Sequence, residues 1–187
     1  VAKSHASPTK KIPAIVKVFN TSAKLWLYWQ NYTDDVDLSE AFPDGMTVPS
    51  LDLTQKCTFI EKYNITENDI NYWWKTIVDS QMVQSHHYGQ FFKGEGDQFG
   101  SMNVTDISGN ETEPSSTMTL KYRNGKCYVF FVSSLVKNEA AACELYLRGR
   151  NISGHLPQQC QQYYERNCGT KTPVYETSCK RKVREAE

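Results

Sequence analysis

Hydrophobic positions along the chain fall into short runs divided by polar breaks. LWLYWQNY (25–32), CTFIEKYNI (57–65), DINYWWKTIV (69–78), HHYGQFFK (86–93), FGSMNVTDI (99–107), TMTLKYR (117–123), CYVFFVSSLV (127–136) and AACELYLRG (141–149) are rich in aromatic and β-branched residues. Gly, Asn, Asp, Ser and Thr clusters bound them, so the pattern predicts about eight strands at near-regular spacing, as in an up-and-down β-barrel or a sandwich. Asn124-Gly125 is the strongest hairpin signal, because both residues accept the positive φ of a type I′ turn. The stretch 34–52 holds Pro43, Gly45 and Pro49 and reads as a long loop, whereas Thr66–Asn68 reads as a short turn. Two helices are expected, Ile15–Ala23 and 157–168. The second opens with Pro157 and meets Gly169 just past its end.

One run departs from the rest. A strand with one wet face alternates apolar and polar residues, yet Cys127-Tyr128-Val129-Phe130-Phe131-Val132 hardly alternates. Such a strand is covered on both faces.

The termini bracket these elements with polar sequence. Residues 1–14 are expected to form a flexible segment, 15–179 a single domain, and 180–187 (KRKVREAE) a charged, solvated tail. The chain begins Val-Ala-Lys-Ser-His with no apolar leader, which reads as a mature form. Lys plus Arg and Asp plus Glu balance at 21 each across 187 residues, so no net charge draws the chain to nucleic acid or anionic lipid. No apolar run reaches the ~20 residues needed to span a bilayer.

Cysteines and sequons set the compartment. Cys57, Cys127, Cys143, Cys160, Cys168 and Cys179 form an even set without a CxxC pair, which weakens zinc and thioredoxin readings. Sequons stand at Asn20, Asn31, Asn64, Asn103, Asn110 and Asn151, where about two would arise by chance. Both features point to an oxidising secretory route, hence a secreted, disulfide-bonded, N-glycosylated protein. Asn31 and Asn103 lie within predicted strands, so a glycan there requires an outward face. His86-His87 invites a metal or catalytic reading. Neighbours on a strand face opposite sides, however, so the pair cannot chelate one ion, and the solvated reading is preferred. No nucleophile–base pair, phosphate loop or metal cluster is legible, so neither an enzyme, a cofactor nor a metal is expected.

Tyr32-Thr33-Asp34-Asp35, Lys126-Cys127-Tyr128-Val129-Phe130-Phe131, Cys143-Glu144-Leu145-Tyr146, Pro157-Gln158-Gln159-Cys160 and Thr177-Ser178-Cys179 together resemble the lipocalins of tick saliva, in order over roughly 15–179. The Gly-x-Trp signature of vertebrate lipocalins is absent. The resemblance implies an all-β, eight-stranded antiparallel barrel with a short N-terminal helix, a C-terminal helix packed outside, and a ligand pocket in the lumen. It also implies the disulfides Cys57–Cys179 and Cys127–Cys160. A third pair, Cys143–Cys168, is similar to that of the subgroup containing japanin and the leukotriene-binding proteins.

With Cys143 and Cys127 bonded to an outer helix, strand alternation sends Glu144, Tyr146, Tyr128, Phe130 and Val132 inward, and Val129 and Phe131 outward. Tyr28 or Trp29, and Tyr72 or Trp74, are further lumen candidates, with no cysteine to fix their phase. The resemblance frames two ligand classes. Amine binders of the family combine a strand-A acid, a Trp three positions later and the strand-H Glu. Glu144 matches the last and Tyr32…Asp35 aligns with the first, but the Trp position falls on Leu38, or on Val48 and Leu51 if counted back from Cys57. The expected ligand is therefore a sterol, fatty acid or eicosanoid, bound by a secreted, monomeric salivary protein that modulates host immune and inflammatory responses. Histamine or serotonin scavenging is the alternative, and an outer surface that binds a host immune-cell protein is another.

Overall fold

The computed structural model describes residues 10–33, 54–150, 152 and 156–187. Strands β1 (Leu25–Gln30), β2 (Lys56–Ile65), β3 (Asp69–Val78), β4 (Gln81–Phe92), β5 (Ser101–Asp106), β6 (Ser116–Asn124), β7 (Cys127–Ser134) and β8 (Ala142–Arg148) pair antiparallel with their chain neighbours from β2 to β8. β1 then pairs with both β8 and β2, closing the sheet into a barrel. Closure removes every edge, which separates this fold from the sandwich left open by the sequence. A two-residue strand β9 (Thr172–Pro173) adds to β1 from outside.

Among the described residues, three helices cover the barrel. Helix α1 (Ala14–Phe19) closes one end, held by Ile15 N–H donating to the Phe99 carbonyl at 2.9 Å. Gly100 makes that docking possible: its φ is +99°, and a Cβ there would lie 2.8 Å from Ile15 Cγ2. Helix α2 (Gln158–Cys168) lies across β6–β8, and α3 (Cys179–Ala186) lies against β2 and β4. The stretch expected to be a solvated tail is thus mostly helix. Its charges stay outward, but Val183 and Cys179 are buried against Trp26, Phe59 and Ile77. Short amphipathic helices with one buried turn leave little hydrophobic periodicity to read.

The disulfides join Cys57 to Cys179, Cys127 to Cys160 and Cys143 to Cys168. Two of them pin α2 to the outer faces of β7 and β8, and the third pins α3 to β2. This answers the non-alternating run: Tyr128, Phe130 and Val132 belong to the lumen cluster, while Val129 and Phe131 belong to the cluster beneath α2. β4 begins at Gln81, earlier than its apolar run suggests, because β3 and β4 form one long hairpin turning at Asp79-Ser80, both with positive φ. The β6–β7 turn also differs in detail. Asn124 remains in the ladder opposite Cys127, and Gly125 (φ 58°) takes the first central position, the II′ pattern in place of I′. The predicted loop 34–52 and the sequon at Asn151 lie outside the described residues.

Candidate ligand site in the barrel lumen

Strand pairing fixes which side chains share the interior. Ile70, Tyr72 and Trp74 of β3 lie opposite Gly89, His87 and Ser85 of β4. His87 and Gly89 in turn lie opposite Asp106 and Val104 of β5. Across the barrel, Leu120 and Met118 face Phe130 and Val132, while Phe130 and Tyr128 face Glu144 and Tyr146.

The half nearest α1 is packed. Phe19 from α1 meets Phe130 at 5.6 Å and Tyr72 at 6.3 Å between centroids, and Phe130 meets Tyr146 edge-on at 5.7 Å. All four are essentially fully buried. Gly89 is demanded by this density, since a Cβ there would sit 2.8 Å from Met102 Sδ and 2.9 Å from Ile70 Cγ2. These rings form a floor.

Above the floor the interior is polar. Glu144, 9% exposed, accepts hydrogen bonds from the Tyr32 hydroxyl at 2.5 Å and the Tyr146 hydroxyl at 2.7 Å, one on each oxygen. Those two donors offset the cost of burying a carboxylate. On the opposite wall, His87 pairs through Nδ1 with the Tyr72 hydroxyl at 3.3 Å and through Nε2 with Ser85 Oγ at 2.9 Å, and Asp106 Oδ2 lies 3.9 Å from Nε2. The His87 ring is parallel to Trp74, with centroids 6.3 Å apart. Tyr72 spans the two groups: burial, then the charges of Glu144 and Asp106, push its phenol well above the usual tyrosine range. Burial lowers the pKa of His87; Asp106 opposes that shift and His86 reinforces it. This part of the interior surface has carboxylates on both walls, aromatic faces between them and a histidine whose burial favours its neutral form.

Several sequence-predicted lumen residues meet in this interior: Tyr72, Trp74, Tyr128, Phe130, Val132, Glu144 and Tyr146. Tyr28 and Trp29 do not. A register shift between Leu27 and Trp29 breaks strand parity, and both rings lie outside, Tyr28 against Tyr175 and Trp29 against Tyr164 of α2. Leu25 and Leu27 take the inward places instead. His87 corrects the solvated reading of the histidine pair, because its side chain is only 18% exposed. Its partner His86 stacks on Trp73 outside, at 4.5 Å. Strand parity alone leaves the inward member of the pair open; the β3–β4 pairing, which sets His87 opposite Tyr72, decides it. The sequon Asn31 is engaged by the fold: its Oδ1 accepts from Cys143 N–H at 2.8 Å and its Nδ2 donates to the Cys168 carbonyl at 3.4 Å. Asn103 lies on the outer face, where its Oδ1 accepts from Thr117 Oγ1 at 2.7 Å.

A closed eight-stranded antiparallel barrel with a capped end, an outer C-terminal helix and an inward carboxylate is a lipocalin-type binding fold. The family model for tick histamine binding protein matches residues 4–181, and the chain belongs to that family. Among solved structures, japanin from Rhipicephalus appendiculatus, bound to cholesterol, is similar with a TM-score of 0.50 and 13% identity, over 88% of this chain and 97% of that one. The siderocalin Ex-FABP, whose structure is described as having dual ligand specificities, gives 0.49 and 9% over 78% and 82%. No curated protein sequence matches the chain significantly. The family is named for a binding protein, and japanin is described as bound to cholesterol. Three disulfides are consistent with secretion. No helix among the described residues is long and apolar enough to cross a membrane.

Proposed function

We propose that the protein is a secreted carrier or scavenger that holds one small amphipathic molecule above the ring floor, its polar end on Glu144. The observation that carries this reading is Glu144 itself, an inward carboxylate that is buried and hydrogen-bonded by two tyrosine hydroxyls. Buried ionic groups are costly, and a ligand donor on the carboxylate recovers part of that cost.

The polar end is a donor. Among the described residues, the inward side chains of the upper lumen on β3–β8 include Glu144 and Asp106 but neither Lys nor Arg, and Lys62 of β2, opposite Tyr72, turns its ammonium to Asn20 at the α1 end. A carboxylate-ended ligand would therefore enter a negative field without a counter-charge. Within the expected class this favours a hydroxyl-ended apolar molecule of the sterol type over a fatty acid or eicosanoid. The same two carboxylates, with Trp74 and Tyr72 between them, support a second reading, a biogenic amine such as histamine or serotonin. Sequestration of either ligand type from the host would modulate immune or inflammatory signalling, through the lumen and not through a host immune-cell protein bound on the outer wall.

The test is extraction of the purified protein followed by mass spectrometry, then calorimetry with cholesterol, arachidonic acid, serotonin and histamine. The hydroxyl- or amine-ended compounds are expected to bind at least tenfold more tightly than the fatty acid. Tightest binding by the fatty acid, or no binding and no co-purified molecule, would overturn the reading. Retained activity on host cells after Phe130→Ala and Glu144→Gln would shift it to the outer surface.

A further inference from the structure

Outside the lumen, at the end capped by α1, a cleft of about 460 Å³ is lined by Lys17, Val18, Arg123, Asn124, Gly125, Tyr128 and Arg148. It holds three cations and no carboxylate. None of Lys17, Arg123 and Arg148 makes an ion pair among the described residues; Arg123 instead stacks over Phe99 at 5.4 Å. A second cleft of about 360 Å³ shares Lys17 and Arg123, adds Lys11 and Lys93, and again has no acid. Like charges gathered without counter-charge repel one another, and an anion relieves that repulsion.

An independent feature points the same way. Tyr128 is 3% exposed, its ring belongs to the lumen cluster, and it lines the cleft. Its hydroxyl has no hydrogen-bond partner among the described residues. Burial raises its pKa, while the charges of Arg148 and then Arg123, which line the same cleft, lower it. A phenol and two arginine forks lining one cleft are a donor set for a tetrahedral oxyanion: a guanidinium can give two parallel N–H bonds, and the phenol O–H gives a further one.

We propose that this cleft is an anion site, separate from the lumen, that takes a phosphate or sulfate group through Tyr128, Arg148 and Arg123, with Lys17 at its rim. The second cleft gives room for the remainder of an ester beyond the oxyanion.

The test is NMR titration of the intact protein with inorganic phosphate and inorganic sulfate, against sodium chloride at matched ionic strength, following the Tyr128 ring signals. Saturable shifts at Tyr128 with either oxyanion, absent with chloride, are expected. Tyr128→Phe should weaken binding roughly five- to tenfold and Arg148→Gln tenfold or more. Arg123→Gln, at an exposed position, supplies a variant whose fold is not at stake and should also weaken it. Shifts equal to those with chloride, or unaltered affinity in correctly folded Arg123→Gln and Arg148→Gln, would overturn the site. A parallel arm with phosphatidylcholine vesicles, with and without phosphatidic acid, separates the sources. Co-sedimentation that depends on phosphatidic acid and is lost in Arg148→Gln identifies a lipid headgroup, and its absence beside free-phosphate binding identifies a soluble anion.

Discussion

The two halves of the lumen are built by the same strands, yet they do opposite work. Near α1, Phe19, Tyr72, Phe130 and Tyr146 interlock and bury nearly all their surface. A few residues further along the same strands, Glu144, His87 and Asp106 hold charge or polarity in partial contact with solvent. The first region is core and supplies stability. The second retains polar groups that burial disfavours, which is the feature the proposed ligand site rests on. Strand alternation alone creates both, with the boundary drawn where α1 inserts Phe19.

The largest break in this contrast should come from the floor. Phe130→Ala removes a fully buried ring and should cost about 3–5 kcal/mol of unfolding free energy, read by urea denaturation. Removing Cys127–Cys160 by double serine substitution should cost about 2–5 kcal/mol, since that bond closes a 33-residue separation and ties α2 to β7. In the upper chamber the effect moves from stability to affinity. Glu144→Gln keeps a carbonyl acceptor but loses the charge, and should weaken the bound amine or hydroxyl ligand by roughly 10- to 100-fold in calorimetry.

His87 sharpens the comparison through pH. Its folded pKa lies below its unfolded value of 6.5, so the unfolded chain takes up the proton first. The stability from burying neutral His87 is complete above about pH 6.5 and is lost as pH falls below it toward the folded pKa. Chemical denaturation of the native chain should show that acid-side loss, and His87→Gln should flatten it. The smallest effect belongs to the outer wall. Phe131→Leu, beneath α2, should cost at most about 1.5 kcal/mol and leave ligand affinity within about twofold.

How far the sequence carried this account depends on where an anchor stood. Turn chemistry and apolar runs located every barrel strand. The phase of β7 and β8 followed from Cys127 and Cys143, so Glu144 and Tyr146 were legible as lumen residues. β1 had no such anchor, and one register shift after Leu27 moved Tyr28 and Trp29 to the outside. His87 was missed for a related reason: only the long β3–β4 hairpin reveals that its neighbour is Tyr72. Helix α3 was hidden in a charged stretch whose one buried turn is held by a disulfide and Val183. The anion cleft needed tertiary structure throughout, since its residues come from α1, β6, the turn after it, β7 and β8.

The central claim is that the ligand sits above the floor against Glu144, and the four tryptophans test it directly. Trp74 faces the lumen, whereas Trp26, Trp29 and Trp73 lie outside. Indole ¹⁵N-labelled protein should be titrated to saturation with whichever of cholesterol, serotonin and histamine binds tightest by calorimetry. The Trp74 indole resonance should shift while the other three stay in place, and Glu144→Gln should abolish the shift at the same ligand concentration. A stationary Trp74 signal at saturation, with an outer indole moving instead, would contradict it.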